Sequence, residues 1–137
     1  MTELKSRDIE RLIRAATEAR DQAYAPHSHF YVGAAVWIPG GEIIAGCNVE
    51  NASYSLSICA ERVAVSTAVA QGHRQFQSIA IASDGGVSPC GACRQFLSEF
   101  GIDLQVITVD VLTGQKQIRK LSQLLPDAFD ASRLPVT

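Results

Sequence analysis

Two short stretches, Cys59-Ala60-Glu61 and Pro89-Cys90-Gly91-Ala92-Cys93, carry the chemistry around which the fold is predicted to form. Each opens a segment whose apolar residues recur at helical spacing, so each predicts the start of a helix. Pro89 suits the first residue of a helix because its φ is already close to the helical value. We therefore expect the fold to bring two helix starts together.

The spacing of the cysteines predicts a metal site. Cys90 and Cys93 are three residues apart, so their sulfurs project from one face of the same helix. The free N–H groups and the dipole of a first helical turn stabilise thiolates. Together with Cys59 they form a three-sulfur ligand set for one Zn²⁺ with an open fourth position, as in catalytic sites. Glu61, two residues from a ligand, is the candidate proton-transfer group.

Three thiolates leave a zinc ion with a net negative charge, which weakens it as a Lewis acid. Arg62 and Arg94 each lie one residue from this group in the sequence. Both are candidates to hydrogen-bond the sulfurs and withdraw charge from them. We favour Arg62 over Arg94 for this role.

Two other interpretations of the cysteines remain open at this point. Cys90 and Cys93 alone have the spacing of a redox dithiol. Adding Cys47 gives four cysteines, which would make a closed structural zinc site. Cys47 is better explained as a small apolar residue that packs within a hairpin.

Outward from these motifs, the apolar periodicity predicts nine elements. The helices cover residues 6–24 (capped by Ser6), 59–70, 89 to about 100 and 121–124, and the strands cover 30–37, 42–47, 76–82, 104–109 and 115–119. Strands that alternate with helices predict a sheet covered on both faces, and the hairpin at the start makes this sheet mixed. The predicted class is therefore α/β.

The overall composition limits the partners. The 137 residues are enough for one domain, 1–137, and 47% of them are hydrophobic. The net charge is −2 without a run of like charges, so the basic stripe that nucleic acid needs is missing. The sequence has neither an apolar run of membrane-spanning length nor a signal peptide. We therefore expect a cytoplasmic protein without a nucleic-acid or membrane partner, in which cysteines serve as ligands rather than disulfides.

The sequence resembles the small homotetrameric cytidine deaminases of nucleoside salvage, which carry the zinc-deaminase signature in its three-cysteine form. The matching stretches are Phe30-Tyr31-Val32-Gly33-Ala34-Ala35, Gly46-Cys47-Asn48-Val49-Glu50-Asn51-Ala52-Ser53-Tyr54, Cys59-Ala60-Glu61-Arg62 and Ser88-Pro89-Cys90-Gly91-Ala92-Cys93-Arg94-Gln95. The second stretch is much more specific than the zinc motif. The resemblance implies a three-layer α-β-α sandwich around a five-stranded mixed sheet, and one Zn²⁺ per subunit of a tetramer.

The resemblance also implies roles for the substrate-binding residues. An aromatic ring at Phe30 lies against the pyrimidine, and Asn48 and Glu50 hold the ribose hydroxyls. The Asn48–Glu50 segment has no basic neighbour, which suits a nucleoside without phosphate. The further residues implied are the backbone at Ala60, Ser88 and Pro89, which frames the base edge, and Tyr54 and Phe129, which reach a neighbouring subunit's active site.

The resemblance implies hydrolytic deamination of cytidine, with Glu61 as the proton shuttle. Three rival functions compete with this one. A related nucleoside deaminase, such as blasticidin-S deaminase, would share the zinc motif. A zinc-stabilised binding module without catalysis is disfavoured by Glu61 in an apolar, buried helix. Deamination within RNA or DNA is disfavoured by the acidic balance of charge.

Overall fold

A computed structural model of the chain describes residues 3–135. Their order of elements is the predicted one. The helices are α1 (Ser6–Arg20), α2 (Ala60–Ala70), α3 (Gly91–Ser98) and α4 (Leu121–Leu124), and the strands are β1 (Gly33–Trp37), β2 (Ile43–Cys47), β3 (Ser78–Ser83), β4 (Gln105–Asp110) and β5 (Lys116–Lys120). Short 3₁₀ turns lie at Tyr54–Leu56 and Ala131–Arg133.

The five strands form one mixed sheet in the order β2-β1-β3-β4-β5. β3 and β4 are parallel because α3 crosses over between them, and the other neighbours are antiparallel. α1 covers one face, where Leu12 and Ala16 pack into a cluster with Trp37. α2, α3 and α4 cover the other face. The predicted three-layer α-β-α class is therefore confirmed.

The first helix and the first strand are both shorter than predicted. α1 ends at Arg20 rather than at residue 24, because the backbone of Tyr24 pairs with Asn48 and Glu50. β1 begins at Gly33 rather than at residue 30, because the side chain of Asn48 bonds the backbone of residues 30 and 32.

Ser6 is the first residue of α1, and Lys5 is its N-cap residue, without a hydrogen bond from a capping side chain. The predicted Ser6 cap was wrong.

Residues 1, 2, 136 and 137 lie outside the described part of the chain. The assignment of 1–137 to a single domain stays a prediction. Among the described residues, every helix is too short or too polar to traverse a bilayer.

Gly33 allows α1 to pack directly on the sheet. A Cβ built at this position would lie 1.9 Å from the carbonyl oxygen of Ala16 and 2.5 Å from the amide nitrogen of Arg20. Both neighbours are backbone atoms, so a larger residue could fit only if the helix moved away from β1.

We expect Gly33→Ala to lower the free energy of unfolding by at least about 2 kcal/mol, because overpacking against backbone cannot be relieved by a rotamer change. Urea denaturation measures the loss. Gly91→Ala is the matched control, because its Cβ would meet no atom within 4 Å. A Gly33→Ala protein as stable as the wild type would contradict this account of the α1 packing.

Candidate active site and metal centre

Three cysteine sulfurs meet where α2 and α3 begin. Cys59 is the N-cap residue of α2, Cys90 is the N-cap of α3, and Cys93 lies in the first turn of α3. The Cys59 and Cys90 sulfurs are 4.0 Å apart, and all three sulfurs lie within 4.8 Å of one another. The sheet thus brings together ligands from two elements that are distant in the sequence.

The three sulfurs differ in how their surroundings treat negative charge. Cys90 Sγ accepts a hydrogen bond from the backbone N–H of Cys93 at 3.4 Å. The pKa of Cys59 is lowered to about 5, mainly because the Cys93 thiol donates a hydrogen bond to it, and Arg62 contributes as well. The same bond, together with burial, raises the pKa of Cys93 because its proton is held between the two sulfurs. A thiolate at Cys59 is therefore favoured even before a metal adds its charge.

The donor set fits one Zn²⁺ per subunit. Thiolates are preferred zinc ligands, and three of them leave one position of a tetrahedron for a reactant. Within residues 3–135 the group of potential ligands consists of Cys59, Cys90 and Cys93, and Cys47 is not part of it. The pKa of Cys47 is raised by burial, which suits a thiol packed at the end of β2. The open three-sulfur site is thus favoured over the closed four-cysteine site.

Arg62 lies beside the sulfur cluster. Its Nη2 atom is 3.9 Å from Cys59 Sγ, within reach of a weak, charge-assisted bond. Arg62 Nε is buried and has no hydrogen-bond partner within the described chain. Burying this unbonded nitrogen costs free energy, which the negative charge on the nearby sulfurs offsets. The bond to Cys59 raises the pKa of Arg62.

Arg94 was also a candidate to hydrogen-bond a sulfur, but the structure shows its guanidinium bonded to other groups. Its Nε donates to the carbonyl of Pro89 (2.8 Å), Nη1 to the carbonyl of Leu124 (2.8 Å) and Nη2 to the hydroxyl of Ser88 (2.9 Å). Adjacent residues on a helix point about 100° apart, so Arg94 faces away from the side that carries Cys93. Arg94 therefore holds the loop before α3 in place.

Glu61 is buried, with 4% of its surface exposed, although its side chain is charged at neutral pH in water. Burial raises its pKa, and the nearby Cys59 adds to the shift. A carboxyl group poised in this way can accept and return a proton. It lines a cleft of about 200 Å³ next to the sulfur cluster.

Half of the predicted site residues line this cleft. They are Phe30, Asn48, Cys59, Ala60, Glu61, Ser88 and Cys90. Val32, Ile81 and Val87 complete the lining with apolar surface, as suits a flat base. Pro89 is buried in the loop between Ser88 and Cys90.

Asn48 organises the wall that carries Phe30. Its Nδ2 donates to the carbonyl of Phe30 (2.8 Å), and its Oδ1 accepts from the amide of Val32 (2.9 Å). Asn48 thus takes the place of a strand partner for these residues, which explains why β1 begins only at Gly33. Phe30 remains 38% exposed, so part of its surface is free to contact a ligand.

Glu50 lines a second cleft of about 290 Å³, together with Tyr54 and His27. The resemblance implies that Asn48 and Glu50 hold the same ribose, whereas in the structure each lines a different cleft. The difference arises because the carboxylate of Glu50 is bonded to the backbone of His27 and Ser28.

Tyr54 and Phe129 are both exposed, at 76% and 55%. The carbonyl of Phe129 accepts a hydrogen bond from Gln95 Nε2 at 3.0 Å, which ties the C-terminal segment to the helix with the ligands. Neither ring belongs to the buried core, so both are available for contact with another molecule.

The comparisons with known proteins agree with this geometry. The family model for the cytidine and deoxycytidylate deaminase zinc-binding region matches residues 6–109. The chain belongs to this deaminase family. A cytidine deaminase of Sporosarcina psychrophila is 44% identical over 129 residues, covering 93% of this chain and 95% of the relative. The crystal structure of the Burkholderia pseudomallei cytidine deaminase superposes with a TM-score of 0.84 at 45% identity, covering 94% and 100% of the two chains. A blasticidin-S deaminase of Bacillus cereus is 30% identical over 133 residues, covering 90% and 92%.

Sequence reasoning missed two features of this deaminase site. The hydroxyl of Ser28 contacts Glu50, and Arg94 binds the 88–89 loop. The signal for Ser28 was its position two residues before Phe30, since serine often accepts a bond from the second amide after it in a turn. The signal for Arg94 was its position directly after Cys93, since neighbouring residues on a helix point about 100° apart.

We expect Cys90→Ser and Cys93→Ser each to release zinc, because a hydroxyl is a far weaker zinc ligand than a thiolate. Metal analysis of the purified protein should find close to one zinc per chain in the wild type and much less in either variant. Cys47→Ser is the control and should keep its zinc. Loss of zinc from the Cys47 variant would point instead to the closed four-cysteine site.

Proposed function

We propose that the protein hydrolyses cytidine, and also deoxycytidine, to uridine or deoxyuridine and ammonia, in pyrimidine salvage. The observation that carries this proposal is the buried Glu61 beside three convergent sulfurs, in a cleft with an aromatic wall. The similarity to proteins described as cytidine deaminases supports the choice of substrate.

Zinc, when bound by Cys59, Cys90 and Cys93, supplies the Lewis acid that activates a water molecule for attack on C4 of the base. Glu61 takes up a proton from that water and delivers it to N3. It then takes the second proton of that water, from the hydroxyl now on C4, and delivers it to the departing amino group, which leaves as ammonia while C4 becomes a carbonyl. Its raised pKa suits these steps, because burial favours the protonated form that a proton shuttle must pass through.

Other residues hold the nucleoside in position. Phe30 contacts the pyrimidine ring, and the backbone at Ala60, Ser88 and Pro89 addresses the edge of the base. Arg94 keeps that loop rigid through its bonds to Ser88 and Pro89. Asn48 and Glu50 bind the sugar hydroxyls, for which an amide and a carboxylate offer both donors and acceptors.

Blasticidin-S deamination is the second candidate function, because a relative with that name is 30% identical to this chain. Cytidine is favoured since the relatives described as cytidine deaminases reach 44% identity. A panel of cytidine, deoxycytidine, cytosine, cytidine monophosphate and blasticidin S separates the two. We expect turnover of the first two and little of the monophosphate, since no basic side chain lines either cleft apart from His27.

We also propose that the protein is a cytoplasmic homotetramer whose active sites are completed by neighbouring subunits. The exposed Tyr54 and Phe129, and the exposed Leu56 beside Tyr54, support such contacts. The four free cysteines suit a reducing compartment.

Glu61→Gln should lower kcat by about 10³-fold or more, since it removes the group that moves protons. Loss of the cytosine absorbance band measures turnover, and metal analysis should find zinc retained. The control is Glu99→Gln, which changes an exposed carboxylate at the C-terminal end of α3 and should leave turnover unchanged. Near-normal turnover in the Glu61 variant would rule out the proposed role.

Sedimentation equilibrium should give about four times the 14.7 kDa mass of one chain. Tyr54→Asp should dissociate the assembly, because a buried carboxylate at an interface is costly. Leu112→Asp is the control: Leu112 is as exposed as Tyr54 (75% and 76%) but lies in the β4–β5 turn. A monomeric wild-type protein would contradict the roles proposed for Tyr54 and Phe129 in a neighbouring site.

A further inference from the structure

The hydroxyl of Ser28 connects two residues of the proposed nucleoside site. Ser28 lies in the turn between α1 and β1, where its Oγ donates a hydrogen bond to Glu50 Oε2. The same Oγ accepts a hydrogen bond from the amide of Phe30 at 3.0 Å. One hydroxyl therefore contacts both the carboxylate proposed to bind the sugar and the backbone of the residue proposed to cover the base.

Within residues 3–135 the hydrogen bonds to the Glu50 carboxylate come from this turn, and they engage both of its oxygens. Oε1 accepts from the amides of His27 (3.0 Å) and Ser28 (3.1 Å), while Oε2 accepts from the Ser28 hydroxyl. These bonds lower the pKa of Glu50, with the hydroxyl of Ser28 as the largest cause. These three bonds fix the carboxylate and leave one of its roughly four acceptor sites for a ligand in the cleft that it lines.

Phe30 is held from both sides of its backbone. Its amide donates to Ser28 Oγ, and its carbonyl accepts from Asn48 Nδ2 at 2.8 Å. The residue between Ser28 and Phe30, His29, has a φ of +57°, a left-handed conformation that is unfavourable for a side chain other than glycine. The bonds of Ser28 span this residue, so they help to hold the turn in its strained form.

The segment with Asn48 and Glu50 is in turn bonded to the chain just before the turn. Tyr24 donates its amide to the carbonyl of Asn48, and Glu50 donates its amide to the carbonyl of Tyr24, both at 2.9 Å. The turn and the segment thus form a closed hydrogen-bonded ring. Ser28 is the side chain through which this ring joins Glu50 to Phe30.

We propose that Ser28 is a positioning residue that couples recognition of the sugar 3′-hydroxyl by Glu50 to placement of Phe30 over the base. The inference rests on the proposed function, because it assigns Glu50 to the sugar of a nucleoside. Without the Ser28 hydroxyl, the carboxylate keeps its backbone donors but loses its fixed orientation. Its contribution to binding the 3′-hydroxyl then falls, while the chemistry at Glu61 and the sulfurs is untouched.

The test compares kcat/KM for cytidine with kcat/KM for 3′-deoxycytidine. The wild-type ratio measures the contribution of the 3′-hydroxyl. Ser28→Ala should reduce this ratio by about tenfold, as expected for loss of a hydrogen bond to a charged group. The loss should appear mainly in KM for cytidine. Ser28→Thr, which keeps the hydroxyl, should restore the ratio, and Ser28→Cys, with its weaker donor, should give an intermediate value.

Two controls separate positioning from general damage. Ser57→Ala removes another hydroxyl from the same cleft, one that accepts from the amide of Asn51 rather than contacting Glu50, and it should leave the ratio unchanged. In a Glu50→Gln background, Ser28→Ala should have little further effect on the ratio, because the coupling passes through the carboxylate. Zinc content and thermal unfolding show whether each variant is folded.

An unchanged ratio in Ser28→Ala, with or without an equal loss of kcat/KM for both substrates, would overturn the coupling while leaving cytidine deamination intact. A ratio close to one in the wild type would overturn the sugar-binding role of Glu50 and the coupling with it. A wild-type protein that does not deaminate cytidine would overturn the proposed function and this inference together.

Discussion

The convergence of two helix N-termini on one point is the constraint on which the rest of this structure depends. Cys59 and Cys90 are the N-cap residues of α2 and α3, so both helices must begin near the same point on one face of the sheet. Gly46 makes this possible for α2, because a Cβ there would lie only 2.6 Å from the amide nitrogen of Ala64. Gly33 allows the same close approach for α1 on the opposite face. These two glycines thus allow α1 and α2 to lie close to the sheet, and Gly46 does so for the helix that begins at Cys59.

The walls of the clefts are fixed differently, by side chains that bond to irregular backbone. A loop has no ladder to satisfy its amides and carbonyls, so polar side chains must do so. Asn48 binds residues 30 and 32, and Arg94 binds residues 88 and 89. Arg20 braces both walls from α1, donating to the carbonyl of Tyr31 (3.0 Å) and to Asp84 (2.8 Å). Rigid helices therefore hold the reacting groups, while a network of side-chain bonds shapes the space for the substrate.

Much of the fold was predictable because its signals are local. The apolar spacing gave the order of all nine elements, and the residues of α4 matched. The errors at residues 21–24 and 30–32 have a common cause, since both segments bond to the neighbourhood of Asn48 rather than continuing their own helix or strand. Periodicity does not report such pairings. The roles of Arg62 and Arg94 differ because the guanidinium of Arg94 is bonded to Pro89, Leu124 and Ser88, whereas that of Arg62 reaches a sulfur.

By itself, the sequence determined which residues could bind zinc and move a proton, since the spacings of Cys59, Glu61, Cys90 and Cys93 are properties of helix starts. It also indicated a nucleoside site through Phe30, Asn48 and Glu50. Only the tertiary structure decided where these polar side chains point. Glu50 turns to the 27–28 backbone and Arg94 to the 88–89 loop because their partners are distant in sequence or hidden in irregular backbone. The direction of a long side chain depends on which acceptors and donors the fold brings within reach, and no local pattern encodes that.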